Sequence, residues 1–234
     1  MIATELLDDP HADPHAVRAE LRDIARLNAW FGGRRAVIAE LEPLFRNGTG
    51  EGGRGKRASP WTLLDVGAGC GDIALAARSA ARRHGIDLRL VGLELNPTAA
   101  RMAQAQQVPM IIADGNAMPL GARSVDVVIA SQVLHHLPRS VAVRWIASFD
   151  RLARRAVVVA DLRRSRLAMA GVWAAAVVLG MSRVTRHDAV VSLRRGYTRE
   201  EFDAMLREGG VQAVTRYRPG FRIVAAWFTG SSDQ

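Results

Sequence analysis

Ten residues constrain this chain most: Leu63-Leu64-Asp65-Val66-Gly67-Ala68-Gly69-Cys70-Gly71-Asp72. A short apolar run ends in an acid, and three glycines follow at alternate positions. The pattern reads as a buried strand, a tight turn and the start of a helix, with glycine wherever a ligand must touch backbone. Its G-x-G-x-G spacing differs from the G-x-G-x-x-G that seats a dinucleotide pyrophosphate on a helix N-terminus. An acid just ahead of the glycines suits a cationic cofactor better than a pyrophosphate. The same residues also fit a plain structural turn.

Strands and helices alternate after this point. Strands are expected at Trp61–Val66, Leu88–Glu94, Met110–Ala113, Val125–Ala130 and Ala156–Ala160, with helices at Asp72–His84, from Pro97, and at Arg139–Leu152. The fourth strand is apolar on both faces, as parallel sheets require. A helix from Thr198 to Glu208 carries a capping-box pattern, Thr198 with Glu201 three residues on. Val211–Tyr217 and Phe221–Phe228 flank Arg218-Pro219-Gly220 and read as a closing hairpin. Alternating βα units with a terminal hairpin predict an α/β fold with a doubly wound, mostly parallel, seven-stranded sheet. Ahead of it, helical spacing occurs over Val17–Asn28 and Arg34–Phe45, and Asn47–Lys56 reads as a flexible, glycine-rich linker.

The formal charge of +9 rests almost wholly on arginine, since Lys56 is the single lysine among 32 basic residues. That is a compositional bias, so we discount it as evidence of nucleic-acid binding. The lone Cys70 excludes an internal disulfide framework and a cysteine-based metal cluster, and no metal is expected. The acidic first ten residues lack the apolar core of a signal peptide, which makes a cytoplasmic protein the expectation. Leu167–Met181 is a charge-free run flanked by Arg163, Arg164, Arg166, Arg183 and Arg186. It is shorter than the roughly 17–25 residues of a membrane span. It reads as a buried or lid helix, with peripheral membrane contact as the other reading.

Further motifs follow the glycine turn in order. Glu94, with Leu95 behind it, ends the second strand. Asp114-Gly115-Asn116-Ala117 follows the third and leads to Pro119-Leu120, and Ser131-Gln132 then Leu134-His135-His136-Leu137 follow the fourth. Together these stretches, from Leu63 to Leu137, resemble the class I S-adenosylmethionine (AdoMet)-dependent methyltransferases of the small-molecule branch, including the ubiquinone/menaquinone-biosynthesis type. The resemblance implies a Rossmann-like methyltransferase domain over 59–234, with a substrate-side insertion at about 163–197 and an N-terminal helical cap, or lid, plus linker over 1–58. It implies that Asp65, Gly67, Ala68, Gly69 and Gly71 line the methionine and ribose of AdoMet. Glu94 would bind the ribose. Asp114, Gly115, Asn116 and Ala117 would hold the adenine, and Ser131 and Gln132 would lie near the sulfonium. Cys70 reads as a small filler. Asn28 or Arg26 could reach the methionine carboxylate.

Methyl transfer from a sulfonium needs alignment and exclusion of water, and a hydroxyl acceptor gains from a general base. His135, His136 and His187 are the candidates, since histidine titrates near neutrality. The apolar insertion with its arginine rim fits a lipophilic small-molecule acceptor, aromatic, quinone-like or polyketide-like, methylated on oxygen or an activated carbon. An RNA methyltransferase and a catalytically silent AdoMet-binding module are the alternatives. The oligomeric state is open.

Overall fold

A computed structural model describes residues 5–9, 11–48, 59–181 and 183–229. The glycine-rich stretch read as a linker therefore lies outside the described residues, except that Asn47 and Gly48 end a helix. Helix α1 spans Pro14–Trp30 and α2 spans Gly33–Gly48. Strand β1 (Trp61–Val66) leads through the glycine turn to α3 (Asp72–Arg83), then β2 (Leu88–Glu94), α4 (Pro97–Ala105) and β3 (Met110–Ile112). Next come β4 (Val125–Ser131), α5 (Arg139–Leu152) and β5 (Ala153–Leu162). The chain closes with α6 (Arg166–Val178), α7 (Arg183–Arg195), α8 (Arg199–Glu208), β6 (Val214–Arg218) and β7 (Arg222–Phe228).

The seven strands form one sheet in the order β3-β2-β1-β4-β5-β7-β6. The first five run parallel, and β7 pairs antiparallel with both β5 and β6. Side chains alternate between two cores, as the pleat dictates. Leu63, Val127, Ile129 and Val158 pack beneath α2 and α3. Leu64, Val128, Val157 and Val159 pack beneath α5 and α8 around Phe149 and Phe202. Each fully buried side chain of this size contributes about 1.5–3 kcal/mol. Helix α2 belongs to the first core through Val37, Leu41 and Phe45. Strand order reverses between β1 and β4, which opens a crevice at their C-terminal ends.

The segment after β5 departs from expectation. It folds into two helices, and α6 is not buried. Ala168 and Met181 are covered, but Leu167 is 79% exposed, Trp173 56% and Val178 85%. The charge-free run was read as a buried or lid helix; this exposure excludes only the buried reading, and the run's many Ala and Gly residues give no periodicity that distinguishes an inner from an outer face. Strand β5 also runs two residues further than expected, to Leu162, and this brings Asp161 into play.

Candidate functional site

The crevice is a cavity of about 650 Å³ that extends from the glycine turn to the N-terminal end of β7. That size suits a cofactor together with part of a second ligand. At one end, the turn after β1 holds Gly67, Gly69 and Gly71 at φ of +70°, +53° and +79°. A Cβ on Gly67 would lie 2.7 Å from Val133 Cγ2, so glycine is required there by conformation and by space. Glu94 pins this turn, its Oε2 accepting from Gly69 N–H at 2.9 Å and its Oε1 from Asn96 N–H at 2.9 Å. Asp65 sits beneath the turn at 2% exposure, and its Oδ2 has no partner among the described residues. Burial first, then the nearby charges of Asp72 and Glu94, push its carboxyl well above the usual carboxylate range. Such a group favours a cation beside it. Cys70 lines the same end, and burial, then Asp72, push its thiol up to about 11, so it is protonated near neutrality and fits the filler reading.

Past β3, Asp114 Oδ1 accepts from Asn116 N–H at 2.8 Å, and Asn116 Oδ1 accepts from Trp145 Nε1 at 3.2 Å. Trp145 packs against Gly115, where a Cβ would come within 2.1 Å of the indole. Past β4, Gln132 adopts a left-handed φ of +57° and donates to Asn28 Oδ1 at 2.6 Å. This joins the β4 exit to α1 across 104 residues, and the strained backbone aims Gln132 into the cavity.

The other end is built around His135. Its Nδ1–H donates to Asp161 Oδ1 at 2.6 Å, and its backbone N–H donates to Asp161 Oδ2 at 3.2 Å. Leu162 N–H also donates to Oδ1, at 2.7 Å. Asp161 is fully buried. Burial raises its carboxyl, but His135, the Leu162 amide and His136 outweigh burial and hold it below the ordinary value. The bond to Asp161 places the His135 proton on Nδ1 and leaves Nε2 as the acceptor, buried and without a partner among the described residues. His136 stacks on His135, ring centres 4.2 Å apart, with its Nε2 3.8 Å from Glu5 Oε2. Glu5 in turn accepts from Ser192 Oγ at 2.6 Å and Arg195 Nη1 at 3.1 Å. A Glu5 oxygen and a ring nitrogen from each histidine lie within 4.8 Å of one another. Glu5 and His135 Nδ1 are engaged in hydrogen bonds, whereas His135 Nε2 is not among the described residues.

Most residues named from the sequence meet in this one cavity: Asp65, Gly67, Ala68 and Gly69; Glu94 and Leu95; Asp114, Gly115 and Asn116; Ser131 and Gln132; His135 and His136. Three do not. Gly71 turns away from the cavity and caps α3, where its Cβ would meet Val108 and Ala103. Ala117 ends a short 3-10 turn and is exposed. His187 points outward with its side chain 60% exposed, tied to Asp188 Oδ1 at 2.9 Å, and it is Asp188 that lines the cavity. Arg26 is also outside, 68% exposed and paired with Asp23, whereas Asn28 is buried in the cavity wall. Sequence reading missed Asp161, Arg222 and, on α7, Thr185 and Ser192, which line the cavity beside Asp188 and Arg195 of the arginine-rimmed insertion. Only an acid just beyond the expected end of β5 signalled the first of these.

Residues 64–160 match the family model described as "Methyltransferase domain". Over 107 residues, 44% of this chain, it is 34% identical to an uncharacterized methyltransferase of Mycobacterium avium (strain 104). A second such relative, from Mycolicibacterium paratuberculosis, matches to the same extent. The match spans 38% of the length of each of these relatives. Among solved structures, a SAM-dependent methyltransferase from Aquifex aeolicus aligns over 93% of this chain and 99% of its own (TM-score 0.61, 14% identity). The mitomycin 7-O-methyltransferase MmcR aligns over 97% and 61% (TM-score 0.62, 18% identity). The CurJ carbon methyltransferase aligns over 94% and 61% (TM-score 0.64, 15% identity). At these identities the likeness is one of fold.

Proposed function

Starting from a methyltransferase domain over residues 64–160, we propose that this chain binds AdoMet at the glycine-turn end of the cavity and methylates a small lipophilic acceptor at the His135 end. The observation that carries the proposal is Asp65: a buried carboxyl, lacking a partner on Oδ2 among the described residues, under a turn whose Gly67, Gly69 and Gly71 all adopt positive φ and whose Gly67 has no room for a Cβ. AdoMet carries positive charge at its sulfonium and its amino group, so it fits a site built this way. Structural relatives solved with AdoMet or its product S-adenosylhomocysteine (AdoHcy), such as the magnesium protoporphyrin IX methyltransferase of Synechocystis, support the choice of cofactor. The mitomycin 7-O-methyltransferase and the CurJ carbon methyltransferase, which share this fold, support oxygen or activated carbon as the accepting atom.

Bound AdoMet supplies an electrophilic methyl group whose C–S electron pair leaves with the sulfur. The chain does the rest. Glu94 would accept from the ribose hydroxyls with the lone pairs that Gly69 and Asn96 leave open, and Asp114, whose Oδ1 already holds the Asn116 N–H, would accept from the adenine amino group. Ser131 and Gln132 flank the methionine. Asp161 holds His135 in the tautomer whose Nε2 takes the proton of an acceptor hydroxyl. Residues 5–8 and α1 cover the cavity and keep water out.

Calorimetry with AdoHcy tests the proposal. Wild type binds it, and Glu94→Ala weakens binding by about 1.5–3 kcal/mol, the worth of charge-assisted hydrogen bonds. Unchanged affinity in a folded Glu94→Ala protein removes Glu94 from the site, and absence of AdoHcy binding by wild type removes the function.

A further inference from the structure

Arg222 is a charged group of the cavity that the proposed chemistry leaves unused. It opens β7, lines the cavity and is 5% exposed. No hydrogen bond engages its guanidinium among the described residues, and its Nε is fully buried without a partner. Burial of a bare guanidinium is costly, and such a group is ordinarily matched to an anion. Asp161 lies within electrostatic reach but does not bond to it. The Asp161 oxygens already accept from His135 Nδ1, His135 N–H and Leu162 N–H. The other arginine of the cavity wall, Arg195, is spoken for by Glu5.

The place of Arg222 in the sheet indicates which ligand it serves. Leu162 pairs with Arg222 across β5 and β7, and Ser131 pairs with Ala160 across β4 and β5. Arg222 thus stands two strands from the β4 exit and three from the glycine turn, about 10 Å and 14 Å at sheet spacing. It shares its end of the cavity with the His135–Asp161 pair.

We propose that Arg222 forms an oxyanion site for the acceptor, so that this chain selects acceptors with an ionisable oxygen, a phenol or enol, and holds them as the anion next to His135. The guanidinium offers donors in a fixed plane that match an anionic oxygen. His135 receives the proton and Arg222 stabilises the charge left behind, so neither has to do both. The inference rests on reading this end as the acceptor end, and calorimetry with AdoHcy alone tests the cofactor reading separately.

The probe is 4-nitrophenol, whose absorption reports its ionisation, against 4-nitroanisole, its neutral methyl ether. Each is titrated into the AdoHcy-saturated protein. Wild type binds the phenolate about tenfold more tightly than the ether and lowers the apparent pKa of the bound phenol. Arg222→Gln loses that preference and keeps its AdoHcy affinity, while Arg222→Lys retains part of the preference. Equal binding of phenolate and ether by wild type, or failure of the phenolate to bind at millimolar concentration, overturns the proposal without reference to any variant. So does a preference that survives in Arg222→Gln. Loss of AdoHcy affinity in Arg222→Gln overturns it too, because the guanidinium then serves the cofactor carboxylate.

Discussion

Asp161 is a positioning residue with a distinct signature. It contacts neither ligand in the proposed arrangement, yet it fixes both the backbone and the ring of His135. Asp161→Asn keeps the size but presents an amide that can donate to Nδ1, which favours the tautomer with its proton on Nε2. That form cannot accept a proton from the acceptor. We expect kcat to fall by about 10²–10⁴-fold, the usual worth of general-base catalysis, with AdoHcy affinity unchanged. His136→Ala should lose much less, because Glu5 Oε2 lies 3.8 Å from His136 Nε2, against 2.6 Å between Asp161 and His135. Equal losses in the two variants, or a fall in AdoHcy affinity in step with kcat, reduce Asp161 to a packing role. The His135-His136 pair was legible in the sequence, but its division of labour was not. Two adjacent histidines look alike until the neighbouring strand, β5, contributes an acid to one of them. His187 fails for the converse reason: a neighbouring acid in sequence ties its ring outward while the acid itself faces the cavity.

Elements with a strong period were read to within a residue or two: β1, β2 and α5 match their expected ends, and the capping box at Thr198 forms with both of its hydrogen bonds. The segment without a period, α6, was not. Its outward face carries Leu167, Gly171, Ala174 and Val178 in one stripe with Trp173 and Val177 beside it, all exposed and none charged. From Leu162 to His187 there is no acid, whereas Arg163, Arg164, Arg166, Arg183 and Arg186 flank the helix. Two copies meeting on this face would set arginine against arginine, so the charge favours an anionic lipid surface. No helix among the described residues is long and apolar enough to cross a membrane. The inner side of α6 supplies Val172 to the cavity, which would put a lipophilic acceptor one helix away from the bilayer. We expect wild type to sediment with phosphatidylglycerol-containing vesicles and the Leu167→Asp, Val178→Asp double variant to stay in solution. Exposed substitutions of this kind leave stability within about 0.5 kcal/mol. Ala168→Asp, which places a carboxylate at a fully buried site, should instead destabilise the fold. Vesicle binding that survives in the double variant, or is equal on neutral lipid, removes the membrane contact.

At the scale of the whole molecule, the N-terminal segment and α7 clamp the cavity through buried acids that lie far apart in sequence. Leu6 N–H donates to Asp188 Oδ2 at 2.7 Å, 182 residues away, and Glu5 reaches Ser192 and Arg195. No local pattern announces such pairs, which is why the sequence reading placed α7 on the acceptor side without its contacts to the N-terminal segment. Glu20 on α1 shares a hydrogen bond with Asp188, and its Oε2 is buried without a partner. Burial first, then Asp188 and Glu5, raise its carboxyl from 4.5 to about 8, with His136 acting the other way. The folded chain therefore keeps this proton up to about pH 8, whereas the unfolded chain releases it near 4.5. Between those values the native state binds more protons, so stability falls as pH rises through the window. A shift of this size corresponds to an effect on the order of a few kcal/mol. Glu20→Gln carries no such proton and should flatten the dependence, with the same stability as wild type at acidic pH and a higher one at about pH 8. Urea denaturation of both proteins at about pH 6 and about pH 8 measures it through the midpoint at constant slope. Parallel pH profiles in the two proteins would mean that Glu20 titrates in the folded chain as it does in water, and that the clamp closes over an ionised carboxylate.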